Sequence, residues 1–128
     1  MLMQGGTEAQ LRKDLVAEIG VLQQLYNKIR DYLAGKQVSD SEAVAALRTY
    51  KDELSVVSAH ILTLYQVKGR PTKITWDSLF TNIDTALENI KNAAQPKTKT
   101  AIQTALNMSS PKIEEVMAYL AKLKQSLQ

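Results

Sequence analysis

The stretch from residue 39 to residue 69 constrains the fold most, because its start signal, apolar periodicity and stop signal all agree. Ser39 and Glu42 form an S-x-x-E capping box, in which both side chains satisfy free N–H groups of a first helical turn. Gly69 and Pro71 end the pattern. Apolar residues recur between these signals at spacings of 3 and 4, at Leu47, Tyr50, Leu54, Val57, Ile61 and Leu64. The stretch predicts an amphipathic helix of about 28 residues, roughly 42 Å long, which requires partners of similar length.

A second long helix is predicted ahead of this stretch, from Glu8 to Ala34. Thr7 opens a T-x-x-Q capping box, and Gly35 supplies the terminating residue. Residues 1–6 are expected to form a flexible lead-in, because two consecutive glycines disfavour a helix there. Only a short turn separates the two long helices, so they are expected to form an antiparallel hairpin.

The second half of the chain predicts two more legs of similar character. A third helix is predicted from Thr75 to about Ala94, before Pro96. The last leg is predicted as two shorter helices, because Ser110 followed by Pro111 is typical of a new helix start. The sequence therefore predicts an all-α fold, an antiparallel up-and-down helical bundle of four legs with the last leg broken in two. The length of 128 residues favours a single domain spanning residues 1–128.

Composition excludes several classes of protein. The chain has no cysteine, which rules out disulfides, thiolate metal sites and a cysteine nucleophile. No apolar run reaches the roughly 18 residues of a membrane span, and no export signal is recognisable, so a cytoplasmic location is expected. The net charge is +3, with −1 in the first 64 residues and +4 in the remainder. This mild asymmetry supports weak affinity for anions without identifying a partner.

His60 is the only histidine and therefore the natural candidate for a catalytic centre. A histidine phosphotransfer bundle would present a lysine three residues and a glycine four residues after it, whereas Thr63 and Leu64 stand there. A di-metal carboxylate site needs Glu-x-x-His on two helices, and no glycine-rich phosphate-binding loop is present. The sequence thus predicts no catalytic, metal or cofactor-binding residue and no enzymatic activity, with a phosphotransfer role for His60 the least favoured alternative.

A basic loop after the second helix is the best candidate for an anion site. Lys68, Arg70 and Lys73 lie just ahead of the third helix, whose free N–H groups and dipole favour negative charge. The simpler interpretation is a helix-ending lysine followed by a solvated turn. Binding of nucleic acid or another polyanion would predict one surface stripe made of these three residues together with Lys91, Lys97 and Lys99.

Three tyrosines at the edges of the apolar stripes are the candidate interface residues: Tyr32, Tyr65 and Tyr119. Partly exposed aromatic rings are enriched in protein interfaces. Long amphipathic helices, edge aromatics and a lack of convergent polar groups together favour a non-enzymatic protein-protein interaction or assembly module. Its partner would be another protein or a second copy of the chain. Binding of nucleic acid or another polyanion through the basic second half is the alternative.

Overall fold

The computed structural model describes residues 4–69, 75–92 and 98–128, and the side chains within them except at residues 4–7 and 98. These ranges contain four helices and no strand. The helices are α1 (Gln4–Leu33), α2 (Asp40–Val67), α3 (Asp77–Asn92) and α4 (Thr98–Leu127). The predicted all-α class is therefore confirmed for the described ranges, and the packing of the four helices is consistent with a bundle.

The core forms from the apolar stripes of all four helices, as the 3 and 4 spacings predict. Every apolar residue predicted for the stripe of α2 is buried. The capping box also forms: the Ser39 hydroxyl accepts from the Glu42 N–H at 3.1 Å, and the Glu42 carboxylate accepts from the Ser39 N–H at 3.2 Å. Gly35 and Gly69 adopt positive φ angles of 80° and 71° just beyond the ends of α1 and α2. These positions suit glycine because it has no Cβ to clash there.

Helix α1 begins at Gln4, four residues earlier than predicted, and includes both glycines of the expected lead-in. The Thr7 capping box consequently lies inside the helix instead of at its start. Each glycine costs about 1 kcal/mol in a helix interior, but extending an existing helix adds a backbone hydrogen bond per residue. The buried stripe that starts at Leu11 supplies the helix from which this extension proceeds.

The predicted break in the last leg is not found, because α4 runs without interruption through Pro111. The buried stripe explains this continuity. It stays in phase across the proline at spacings of 3, 4, 3 and 4, through Leu106, Ser109, Ile113, Val116 and Leu120. Burial of the four apolar side chains of this set contributes about 1.5–3 kcal/mol each, which together exceeds the roughly 3 kcal/mol cost of a proline inside a helix.

Candidate functional site

Tyr32, predicted to lie partly exposed at a stripe edge, is buried instead, with only 4% of its surface accessible. Its hydroxyl donates to Asp40 Oδ1 at 2.8 Å. The Lys99 ammonium lies 5.4 Å from the ring centroid and 3.3 Å from the same carboxylate oxygen. Burial, followed by the hydrogen bond to Asp40, raises the pKa of Tyr32 to about 12. Tyr32 therefore joins α1 to α2 and α4 and leaves little of its surface for a partner.

Tyr26, about one turn and a half earlier in α1, also links α1 to a neighbouring helix. Its ring is buried, and its hydroxyl donates to Glu114 Oε1 of α4 at 2.8 Å. The Arg30 guanidinium lies 5.6 Å from the ring centroid. Burial and the neighbouring carboxylate raise the pKa of Tyr26 to about 12. Both tyrosines thus support contacts between helices.

The other two predicted tyrosines lie together in a surface cluster with two residues that sequence reasoning did not single out as interface residues. We call this set, Leu62, Tyr65, Trp76 and Tyr119, the aromatic cluster. The rings of Trp76 and Tyr119 meet edge to face, with centroids 6.2 Å apart and planes at 70°. Burial, followed by the neighbouring Tyr65 hydroxyl, raises the pKa of Tyr119. Leu62 precedes Tyr65 by three residues and so lies on the same side of α2.

The aromatic cluster is exposed enough to contact another molecule. Tyr119 is 38% exposed and Leu62 is 37% exposed, whereas Tyr65 and Trp76 are half-buried against the core. A cavity of about 120 Å³ opens beside Trp76, between the start of α3 and the middle of α4. The cluster thus combines rings held by the core with apolar surface that faces solvent.

The cluster lies where the short helix α3 begins, beside α4. Helix α3 has 16 residues, or about 24 Å, against 28 residues and about 42 Å for α2. Trp76 directly precedes α3, and its contact with Tyr119 places it against α4. A signal for the cluster was present in the sequence, since Leu62 and Tyr65 are apolar residues spaced by three outside the main stripe of α2.

His60 occupies a partly buried position beside the stripe of α2, and its contacts link two helices. Its Nδ1 lies 2.9 Å from Glu18 Oε1 of α1. Thr63, three residues later, donates its hydroxyl to the Ala59 carbonyl oxygen. Within the described ranges, no group of three or more His, Cys, Asp or Glu side chains could hold a metal ion. No helix of these ranges is long and apolar enough to cross a membrane.

Two lysines of the stripe that polyanion binding would predict, Lys68 and Lys99, lie at opposite ends of α2. Lys68 caps the C-terminus of α2, whereas Lys99 contacts Asp40 at its N-terminus. The 28 residues of α2 separate these ends by about 42 Å. Arg70, Lys73 and Lys97 lie outside the described residues.

Comparison of the chain with protein-family models, curated protein sequences and solved structures gave no match. We therefore infer the function from the geometry of the described residues.

Proposed function

We propose that the chain is a non-enzymatic protein-protein interaction or assembly module, and that the aromatic cluster is a binding surface. The observation that carries this proposal is the edge-to-face pair of Trp76 and the partly exposed Tyr119, with Tyr65 beside Tyr119. Tryptophan and tyrosine are the side chains that most often dominate binding energy at protein interfaces. An aromatic pair that is partly exposed supports such a role better than isolated surface residues do.

Partial burial of the cluster supports tight contact with a partner. Tyr65 and Trp76 pack against the core, so their rings are already held before a partner arrives. Ordering a mobile side chain at an interface costs about 0.5–1.5 kcal/mol, and this cost is smaller for rings already held in place. Tyr119 is 38% exposed, so part of this side chain is available to a partner.

An antiparallel, up-and-down orientation of the helices belongs to the same proposal. Contacts between α1 and α2 support it, because residue numbers rise along one helix as they fall along the other. These contacts join Glu18 to His60, Lys28 to Glu42 and Tyr32 to Asp40. Contacts between α1 and α4 follow the same rule, with Tyr26 on Glu114 and Tyr32 near Lys99. Long, closely paired helices would provide a rigid support for a binding surface.

Fluorescence of Trp76 tests the proposal directly, since Trp76 is the only tryptophan of the chain. We expect quenching of its emission by iodide to weaken as protein concentration rises, because a second copy covers the ring. The Leu62→Ser variant should lose this protection, whereas Val56→Ser should retain it. Val56 is the matched control because it is an exposed apolar residue of the same helix, at 42% exposure. Protection that is absent at every concentration, or equal in both variants, would count against the aromatic cluster as a self-assembly surface.

A further inference from the structure

A groove runs along the outer side of α1 and the C-terminal half of α4, and it shares no residue with the aromatic cluster. Its first section, about 340 Å³, lies between Val16 and Leu127, and its second, about 320 Å³, lies between Ile19 and Met117. Gln128 lines both sections, so they lie next to each other. We call this feature the α1–α4 groove. The charged and amide side chains that line it are Arg12, Lys13, Gln23, Lys124, Gln125 and Gln128.

All the charged side chains that line the α1–α4 groove are positive. It contains three cationic side chains, Arg12, Lys13 and Lys124, and no Asp or Glu side chain lines it. Neither lysine takes part in an ion pair with another described side chain. Arg12 has a carboxylate nearby, since its Nε lies 3.6 Å from Glu8 Oε2, but that distance is too long for a hydrogen bond. The buried Arg12 Nε–H consequently has no acceptor among the described residues. The groove is therefore complementary to a negatively charged ligand.

The floor of the groove is apolar, and Val16 is the most exposed of its large apolar side chains. Val16, Ile19, Met117 and Leu127 contribute apolar side chains to it. Gly20 lies three residues from both Ala17 and Gln23, which line the two sections, and therefore faces the same side of α1. A Cβ added at Gly20 would meet nothing within 4 Å, so the fold itself does not require a glycine there.

We propose that the α1–α4 groove binds an acidic amphipathic helix from a protein partner. The apolar floor fits the apolar face of such a helix, and the three cations fit carboxylates along its edges. The span from Arg12 to Gln23 is about 17 Å, or three helical turns. No aromatic ring lines the groove, whereas single-stranded nucleic acid is held by stacking on such rings. This inference rests on the proposed function and names the chemistry of a partner at a second surface.

Binding of a synthetic peptide to the full chain tests the inference. The probe is a fluorescent amphipathic helical peptide with leucine along one face and glutamate elsewhere, and its control carries lysine in place of glutamate. We expect the glutamate peptide alone to bind, with affinity that falls as salt rises. Lys13→Glu combined with Lys124→Glu should weaken binding about tenfold or more. The matched control, Arg48→Glu combined with Lys91→Glu, changes the net charge equally outside the groove and should leave binding unchanged.

Gly20→Leu provides a test that does not depend on charge. We expect it to weaken binding of the glutamate peptide about tenfold while thermal stability is retained. Equal binding of both peptides, equal loss in both charge-reversed variants, or tighter binding of a single-stranded oligonucleotide would overturn the inference. A change in oligomeric mass on reversing the groove charges would also overturn it, because the occupant would then be a second copy of the chain. Absence of peptide binding in a chain that still self-associates through the aromatic cluster would refute the inference alone and leave the proposed function intact.

Discussion

Tyr26 and Tyr32 place a buried ring in the core and a hydroxyl on a carboxylate of a neighbouring helix. At the scale of single residues, these two hydrogen bonds connect α1 to both of its neighbours. Each net hydrogen bond contributes about 0.5–1.5 kcal/mol, and bonds to a charged acceptor contribute somewhat more. These hydrogen bonds therefore stabilise the fold only while the tyrosine hydroxyls remain protonated.

Stability should consequently fall as pH rises from 10 towards 12. Both tyrosines have a folded pKa of about 12 against an ordinary value of 10, so the unfolded chain loses these protons first. Their contribution is complete below pH 10 and is lost as pH passes through 12. Urea unfolding across this range should show a smaller decline for the Tyr26→Phe/Tyr32→Phe double variant than for wild type. Parallel declines would show that these hydroxyls are not the groups that link stability to pH.

Two glycines, one inside α1 and one just beyond its end, should respond oppositely to the same substitution. Gly20 lies inside α1 with open space around it, so Gly20→Ala should stabilise the chain by about 0.5–1 kcal/mol. Gly35 has a φ of +80°, so Gly35→Ala should destabilise it by about 1 kcal/mol. Chemical denaturation of both variants checks the signs. Destabilisation by Gly20→Ala would mean that a neighbour approaches α1 more closely than this structure has it.

At the scale of the elements, local sequence signals predict some helix ends correctly and others wrongly. The capping box at Ser39 and the glycines beyond α1 and α2 form as predicted, because each depends on residues within one turn. The helix break predicted at Pro111 is not found, because the outcome there depends on residues more than one turn away. A proline after serine favours a helix start locally, but the buried stripe on both sides belongs to one helix and decides the outcome.

Pro111→Ala distinguishes a continuous α4 from two separate helices. In a continuous helix, the proline removes one backbone hydrogen bond and strains the preceding turn, so alanine should stabilise the chain by about 1–3 kcal/mol. At the first position of a separate helix, proline has no such cost and the substitution should be close to neutral. The measurement is the free energy of unfolding in denaturant. A neutral result would favour the broken leg.

At the scale of the whole molecule, the candidate surfaces could be predicted only in part. Tyr65 and Tyr119 lie in the aromatic cluster, as partly exposed aromatic residues. Tyr32 is buried instead, and one of its contacts is with Lys99, which is far away in sequence and lies over its ring. The pairing of Trp76 with Tyr119 likewise depends on how α3 lies against α4. A helical period shows which side of a helix is apolar, whereas exposure at the edge of that side depends on its neighbours.

The α1–α4 groove likewise could not be predicted from the sequence of any single helix. Arg12, Lys13 and Lys124 are far apart in the sequence, and no motif connects them. Packing of α1 against α4 brings their faces to one groove and leaves the carboxylates of Asp14 and Glu18 out of its lining. A one-sided charge pattern of this kind follows from the assembled helices and not from any single helix.

Molar mass in solution tests the central claim, that the aromatic cluster is a surface for protein assembly. We would measure it by light scattering after size exclusion, at low and high salt, for wild type and for the Leu62→Ser/Tyr119→Ser and Val56→Ser variants. We expect wild type to form a salt-resistant species heavier than the 14.2 kDa monomer. This species should be lost in the double variant and retained in Val56→Ser. A monomer at every concentration and at both salt levels, with all three proteins alike, would contradict it.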